Sequence, residues 1–181
     1  MTEPRLEPVP PEQWNEETIA ALQQAFPEAV IARFKNEGAP TAITTMLHHP
    51  ALAGSWLAYN NVLLWSPALD HRLRELMVLR VAHRTHAPYE WDQHVKLAER
   101  YGVTAADVDA VKVGSTHDGW SPLERDLLAA TDQLIDDYRI DDDTWRRLAE
   151  QLDGRQLVET VFVVGTYTCL AMAFNSFALE T

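Results

Sequence analysis

The stretch LRELMVLRVAHRTHAPYEWDQHVKLAERYGVTAADVDAV, residues 73–111, decides the fold. Its apolar residues recur at spacings of three and four with almost no strict alternation, which predicts helices and not strands. Pro88 sits where a helix starts, since proline's missing N–H costs nothing at the first helical position. Thr104-x-x-Asp107 has the spacing of a capping pair and opens a third helix. On a helical wheel Leu76, Met77, Val78, Leu79, Val81 and Ala82 cover nearly the whole circumference of a helix over 70–85, so this helix is central and buried all round. Arg80 falls between Leu76 and Met77, and Glu75 heads a stripe with Val78, Leu79 and Ala82. Both charges therefore point into apolar surroundings.

Outward from this segment the same helical period continues. It predicts helices at 11–25, 51–65, 70–85, 88–101, 104–112, 121–138, 143–152 and 155–178, an all-α fold. Ser121-Pro122-x-Glu124 combines a capping serine, a proline at the first helical position and a glutamate that reaches back to the cap. Asp143 and Asp153 stand where N-caps belong. With 181 residues, 46% of them hydrophobic, and neither an internal repeat nor a Gly/Ser linker, the chain reads as one domain over 1–181. KVGSTHDGW, residues 112–120, is the best candidate for a flexible connection.

Fifteen Lys and Arg against 27 Asp and Glu give a net charge of -12, which argues against binding to nucleic acid or to anionic membranes. A single cysteine, Cys169, excludes an intramolecular disulfide and a Cys-x-x-Cys redox pair. The start, MTEPRLEPVPPEQWNEE, carries proline and acid where an export signal has a basic start and an apolar run, so the expected location is the cytoplasm. Residues 160–174 are apolar but shorter than the roughly 20 residues a bilayer requires. They read as a buried or interfacial helix.

In the helix after Pro88, Glu90 and His94 lie one turn apart on the inward stripe with Leu97, Ala98 and Tyr101. Asp92, Gln93, Lys96, Glu99 and Arg100 take the solvent side. An unpaired buried charge costs several kcal/mol, so Glu75, Arg80, Glu90 and His94 are expected to find one another or a ligand. Taken singly, each reads as a buried ion pair or a satisfied core histidine; four of them within residues 75–94 point instead to a functional site. His86, Glu90 and His94 at i, i+4, i+8 have a spacing that suits metal ligands, but Pro88 leaves His86 outside the helix, and no metal is expected. His48 and His49 are read as a helix end before Pro50, because adjacent helical side chains diverge by about 100°. Trp56, Trp65, Trp120 and Trp145 read as core or interface filling.

These residues bring out a resemblance. The 73–111 stretch is similar to the core of the carboxymuconolactone decarboxylase family, which includes the AhpD-like alkylhydroperoxidases. The likeness runs from about Asn60 to Val113 and is carried by the Arg-Glu-Leu start, the Tyr-Glu-Trp-x-x-His centre and the Gly-Val-Thr cap. It implies an all-helical fold and assembly as trimers, hexamers or related oligomers. The family's peroxidase branch uses Glu, then Cys-x-x-Cys, then His; aligned on the histidine, Glu75 and His94 match and the cysteine positions hold Ala87 and Glu90. The resemblance thus favours the decarboxylase side: a cofactor-free lyase or isomerase working on a small carboxylated lactone or carbonyl compound. In that reading Glu90 and His94 transfer protons, Glu75 orients or tunes them, Arg80 or Arg84 binds an anionic or carbonyl group, and His86, Tyr89 and Trp91 line the pocket. The alternatives are a non-catalytic, oligomeric ligand-binding protein and a thiol redox activity at Cys169. The apolar circumference from Val161 to Phe174 is expected to lie partly between subunits, with Val164 facing outward.

Overall fold

The structure, a computed structural model, describes residues 4–65 and 67–179. Among these, ten α-helices and two short 3-10 turns form, and no strand does. The chain divides into two compact units, residues 4–65 with 177–179, and residues 67–176.

The first unit holds α1 (Glu16–Gln23), α2 (Glu28–Glu37), α3 (Thr41–Met46) and α4 (Pro50–Trp65). The single helix expected over 11–25 is corrected: a 3-10 turn occupies Pro11–Gln13, and the chain restarts at Asn15, whose side chain caps the Thr18 N–H at 3.0 Å. Helices α2 and α3 were not expected. α2 buries only Ile31 and Phe34 and lacks a side-chain cap, and α3 is six residues rich in threonine, so neither shows a strong period. Leu22, Ile31, Phe34, Ile43, Leu47, Ala53 and Leu57 form the core of this unit. The reading of His48 and His49 as a helix end holds. His49 Nδ1 accepts the Leu52 N–H at 3.3 Å in the first turn of α4, and His48 Nε2 donates to the Glu7 carbonyl at 2.8 Å.

The second unit holds α5 (His71–Arg84), α6 (Pro88–Ala98), α7 (Ala105–Val113), α8 (Pro122–Asp137), α9 (Asp142–Ala149) and α10 (Gly154–Phe177). The helix expected over 88–101 ends at Ala98 and tightens into a 3-10 turn before Gly102, which takes φ 76°. α5 packs against α6, α7 and α8, and Arg74 through Ala82 are all buried. The capping boxes at Thr104–Asp107 and Ser121–Glu124 form as expected, and Asp153 exchanges hydrogen bonds with Gln156 at the start of α10. For α9 the cap is Asp141 and not Asp143; Asp141 Oδ1 accepts the Thr144 N–H at 2.7 Å, and Asp143 pairs with Arg146 inside the first turn.

α10 runs 24 residues, longer than its apolar run, and by length and composition alone would cross a bilayer. One side is buried by Val163, Val164, Tyr167, Leu170, Ala171 and Phe174, while Val158, Val161, Phe162, Cys169 and Met172 are exposed. Val164 faces inward, which corrects the expectation; at three to four residues per turn it shares the stripe of Tyr167 and Ala171. Near the start of α10, buried Glu159 accepts the Leu69 N–H at 3.2 Å and the Ala68 N–H, which ties the approach to α5 in place.

Arg80 rivets α5 to its neighbours through four hydrogen bonds. Its Nε and Nη2 donate to the two oxygens of Asp132 at 2.7 and 2.9 Å, and Nη1 donates to the carbonyls of Val111 and Lys112 at 2.8 and 2.9 Å. These carbonyls lie at the end of α7, where a cation is favoured by the helix dipole. Gly114 closes that end at φ 90°, and a Cβ there would come within 2.6 Å of Arg80 Nη2. Gly114→Ala is therefore expected to destabilise the protein by ~3 kcal/mol, through backbone strain and the displaced guanidinium. Urea unfolding checks this; an unchanged midpoint would show that Arg80 is not held there.

Candidate active site

The site grows from two neighbouring residues of α5 that have no exposure at all, Arg74 and Glu75. Arg74 Nε donates to Glu75 Oε1 at 3.1 Å, and its Nη1 donates to His71 Nδ1 at 3.0 Å. The guanidinium also lies 5.5 Å from the centre of the Tyr101 ring, on which the His71 ring stacks at 4.4 Å. The other carboxylate oxygen, Glu75 Oε2, is 2.7 Å from His94 Nδ1 on α6. Tyr167 of α10 sets the edge of its geometry against the His94 ring, with centroids 5.0 Å apart and planes at 87°. Bonded through Nδ1 to a carboxylate, the His94 imidazole is held in one orientation, with Nε2 on the far side of the ring from Glu75.

Glu90 is different. It is 2% exposed, and neither of its carboxyl oxygens has a hydrogen-bond partner among the described residues. Burial pushes its pKa from 4.5 up to about 8, so at neutral pH it carries a proton. For Glu75 burial acts in the same direction, but the hydrogen bond and charge of His94 and the charge of Arg74 outweigh it and hold the carboxyl below its ordinary range. Two glutamates of one site are thus driven apart, one to an ion and the other to a neutral acid. Burial first, then the negative charge of Glu75, raise the Tyr167 phenol, which stays protonated.

The expectation that Glu75, Arg80, Glu90 and His94 meet is corrected in part. Glu75 and His94 do; Arg80 does not, because Asp132 and the end of α7 hold it. Arg84 likewise donates to Asp132 at 2.6 Å and to both oxygens of Asp136 at 2.7 and 3.0 Å. Glu90 makes no hydrogen bond to His94, although the two are one turn apart. Tyr89 is buried against Phe174, with ring centres 5.4 Å apart. His86 and Trp91 line a cleft with His83 and Lys112.

Sequence reasoning missed Arg74 and Tyr167. Arg74 shares the inward stripe of Val78 and Val81, and Tyr167 that of Val163, Leu170 and Phe174, so helical spacing could have found both.

The model of the carboxymuconolactone decarboxylase family matches residues 50–133. Over these residues the chain is similar to that family. No curated protein matches the chain. Among solved structures it is similar to an uncharacterised peroxidase-related protein from Ralstonia eutropha JMP134, described as an alkylhydroperoxidase AhpD core, at TM-score 0.79 and 16% identity, covering 99% of this chain and 93% of that one. A similar fold occurs in an uncharacterised peroxidase-related protein from Silicibacter sp. TM1040, at TM-score 0.78, 12% identity and coverage of 99% and 94%. A third, from Agrobacterium tumefaciens, is a protein of unknown function described as a candidate antioxidant defence protein AhpD, at TM-score 0.69, 20% identity and coverage of 75% and 93%. These likenesses establish an AhpD-like helical fold. Glu75 and His94, which the resemblance sets at the glutamate and histidine of the peroxidase pattern, are hydrogen-bonded to each other.

The proton on Glu90 has a measurable cost. Between about pH 4.5 and pH 8 the unfolded chain has released it and the folded chain has not, so this group's contribution to stability falls as pH rises through that window. Glu90→Gln removes the titration. Its stability relative to wild type is expected to rise from pH 5 to pH 8, by on the order of 3 kcal/mol, and to level off above. Urea unfolding of both proteins at a series of pH values checks this; a difference that does not change with pH contradicts it.

Proposed function

We propose that the protein is a cofactor-independent lyase or isomerase that performs acid–base chemistry on a small carboxylated lactone or carbonyl compound. The observation that carries the reading is Glu90: a buried, unpartnered carboxyl that keeps its proton at neutral pH, one turn from a histidine oriented by an ionised glutamate. His94 Nε2 removes a proton next to the substrate carbonyl, and the C–H electron pair moves to form an enolate. Glu90 then delivers its proton to a carbon of that enolate, and the double bond shifts. In decarboxylation the enolate forms instead from the C–C electron pair as carbon dioxide leaves, and Glu90 protonates the carbon left behind. Glu75, bonded to Arg74, keeps the imidazole in the tautomer that presents Nε2 and stabilises it when it gains the proton.

The experiment is incubation with enolisable β-keto acids and unsaturated lactones in D2O, following deuterium incorporation, double-bond position and carbon dioxide. Turnover is expected, with Glu90→Gln and His94→Ala each lowering it by about 100-fold or more. Normal turnover in both variants contradicts the assignment, and tight binding without chemical change favours a non-catalytic binding protein. A thiol redox reading, which the peroxidase-related neighbours raise, depends on Cys169, exposed on α10 and the chain's single cysteine. It predicts that Cys169→Ser abolishes peroxide consumption, whereas in the acid–base reading Cys169→Ser leaves proton exchange intact.

The exposed side of α10 supports a second part of the proposal, that the chain self-associates. Val158, Val161, Phe162 and Met172 are spaced at three, four and ten to eleven residues along one face, and uncharged apolar patches of that kind mark interfaces. Phe162→Asp is expected to lower the assembly's mass toward that of one 20.5 kDa chain while leaving the helical content unchanged. Light scattering that finds the wild-type chain already monomeric contradicts this part.

A further inference from the structure

We propose that the cleft between the end of α5 and the start of α6 binds a small planar organic anion, an aromatic or conjugated carboxylate. The cleft has a volume of about 330 Å³, enough for one ring bearing a carboxyl group. Ala82, Ala87 and Pro88 supply apolar surface and Trp91 an aromatic wall, while His83, His86 and Lys112 bring nitrogen donors; no carboxylate is among the lining side chains. In a chain of net charge -12, a lining that holds nitrogen donors and no carboxylate complements an anion.

Three further observations bear on it. His86 takes φ 51°, a left-handed conformation that costs a non-glycine residue free energy and that concentrates at functional sites. Lys112 Nζ sits 5.5 Å from the centre of the Trp91 ring, and one of its three N–H groups goes to the exposed Asp109 at 2.8 Å, which leaves two for a ligand. His83 packs its ring 6.0 Å from that of Trp91, and its pKa is lowered by burial and then by the positive charges of Arg80, His86, Lys112 and Arg84. Arg80 and Arg84 are themselves paired with Asp132 and Asp136.

The inference rests on the acid–base reading and deepens it. Arg80 and Arg84 are held by Asp132 and Asp136, so an anionic substrate needs another anchor, and this cleft offers one. Trp91 directly follows Glu90 in α6, which puts an occupant of the cleft beside the helix turn that carries the acid.

Benzoate is the probe, titrated into the wild-type chain while NMR follows the indole N–H of Trp91, assigned with Trp91→Phe. Saturation with a Kd of about 1 mM is expected, with the neutral isostere benzamide about tenfold weaker. Lys112→Ala and His86→Ala are each expected to weaken benzoate about tenfold and to leave benzamide unchanged. Equal affinity for benzoate and benzamide, unchanged benzoate affinity in both variants, or no shift of the Trp91 signal overturns the proposal. Benzoate binding as described, without proton exchange on any carbonyl substrate, overturns the acid–base reading and leaves the cleft standing. Proton exchange without benzoate binding overturns the cleft alone.

Discussion

A helix buried on every side has to neutralise its charges from within, and α5 carries Arg74, Glu75 and Arg80 at buried positions. Each would cost several kcal/mol if left unpaired. The solutions differ along the helix. Arg80 is taken by Asp132 of α8 and by the carbonyls at the end of α7, a contact that joins three helices. Arg74 and Glu75 neutralise each other and extend the chain to His71 on one side and His94 on the other. The packing of α6 and α10 over this chain, with Tyr167 on the His94 ring, keeps it out of water.

Glu90 stands apart because nothing neutralises it. Placed on the same inward stripe of α6 as His94, it meets burial without a partner, and the cheaper course is to keep its proton. The result is a division of labour among a few side chains. One carboxylate is an ion that orients a histidine, and the other carboxyl is a neutral acid close to the physiological range. Neither state is a property of glutamate as a residue type; each follows from whether Arg74 and His94 are in reach.

Much of this was legible in the sequence, and what was not has a physical reason. The all-round apolar wheel of residues 76–82 marked α5 as central, and the capping pairs at Thr104 and Ser121 marked helix starts, because both signals are local. Inwardness of Glu75, Glu90 and His94 was legible for the same reason. The choice of partners was not. Arg74 and Arg80 are both arginines on a buried helix, and nothing local says that Arg80 is claimed by a carboxylate 52 positions later while Arg74 turns to its neighbour. Glu90 and His94, four apart, look like a pair on a wheel, yet His94 reaches across to α5. In the first unit α2 and α3 escaped notice because one buries two large side chains and the other is a single short run of low helix propensity. The inward direction of Val164 is not legible in the sequence, because from Val161 to Phe174 α10 carries no charged residue to mark its outer side.

The most direct test is to titrate the Glu90 carboxyl itself. In protein labelled with 13C at glutamate side-chain carboxyls, the signal missing from Glu90→Gln identifies this residue, and its chemical shift can be followed from pH 4 to pH 10. The account predicts one midpoint at about 8. A Glu90 midpoint near the ordinary 4.5 would contradict it, because the site would then hold two ionised carboxylates and no acid.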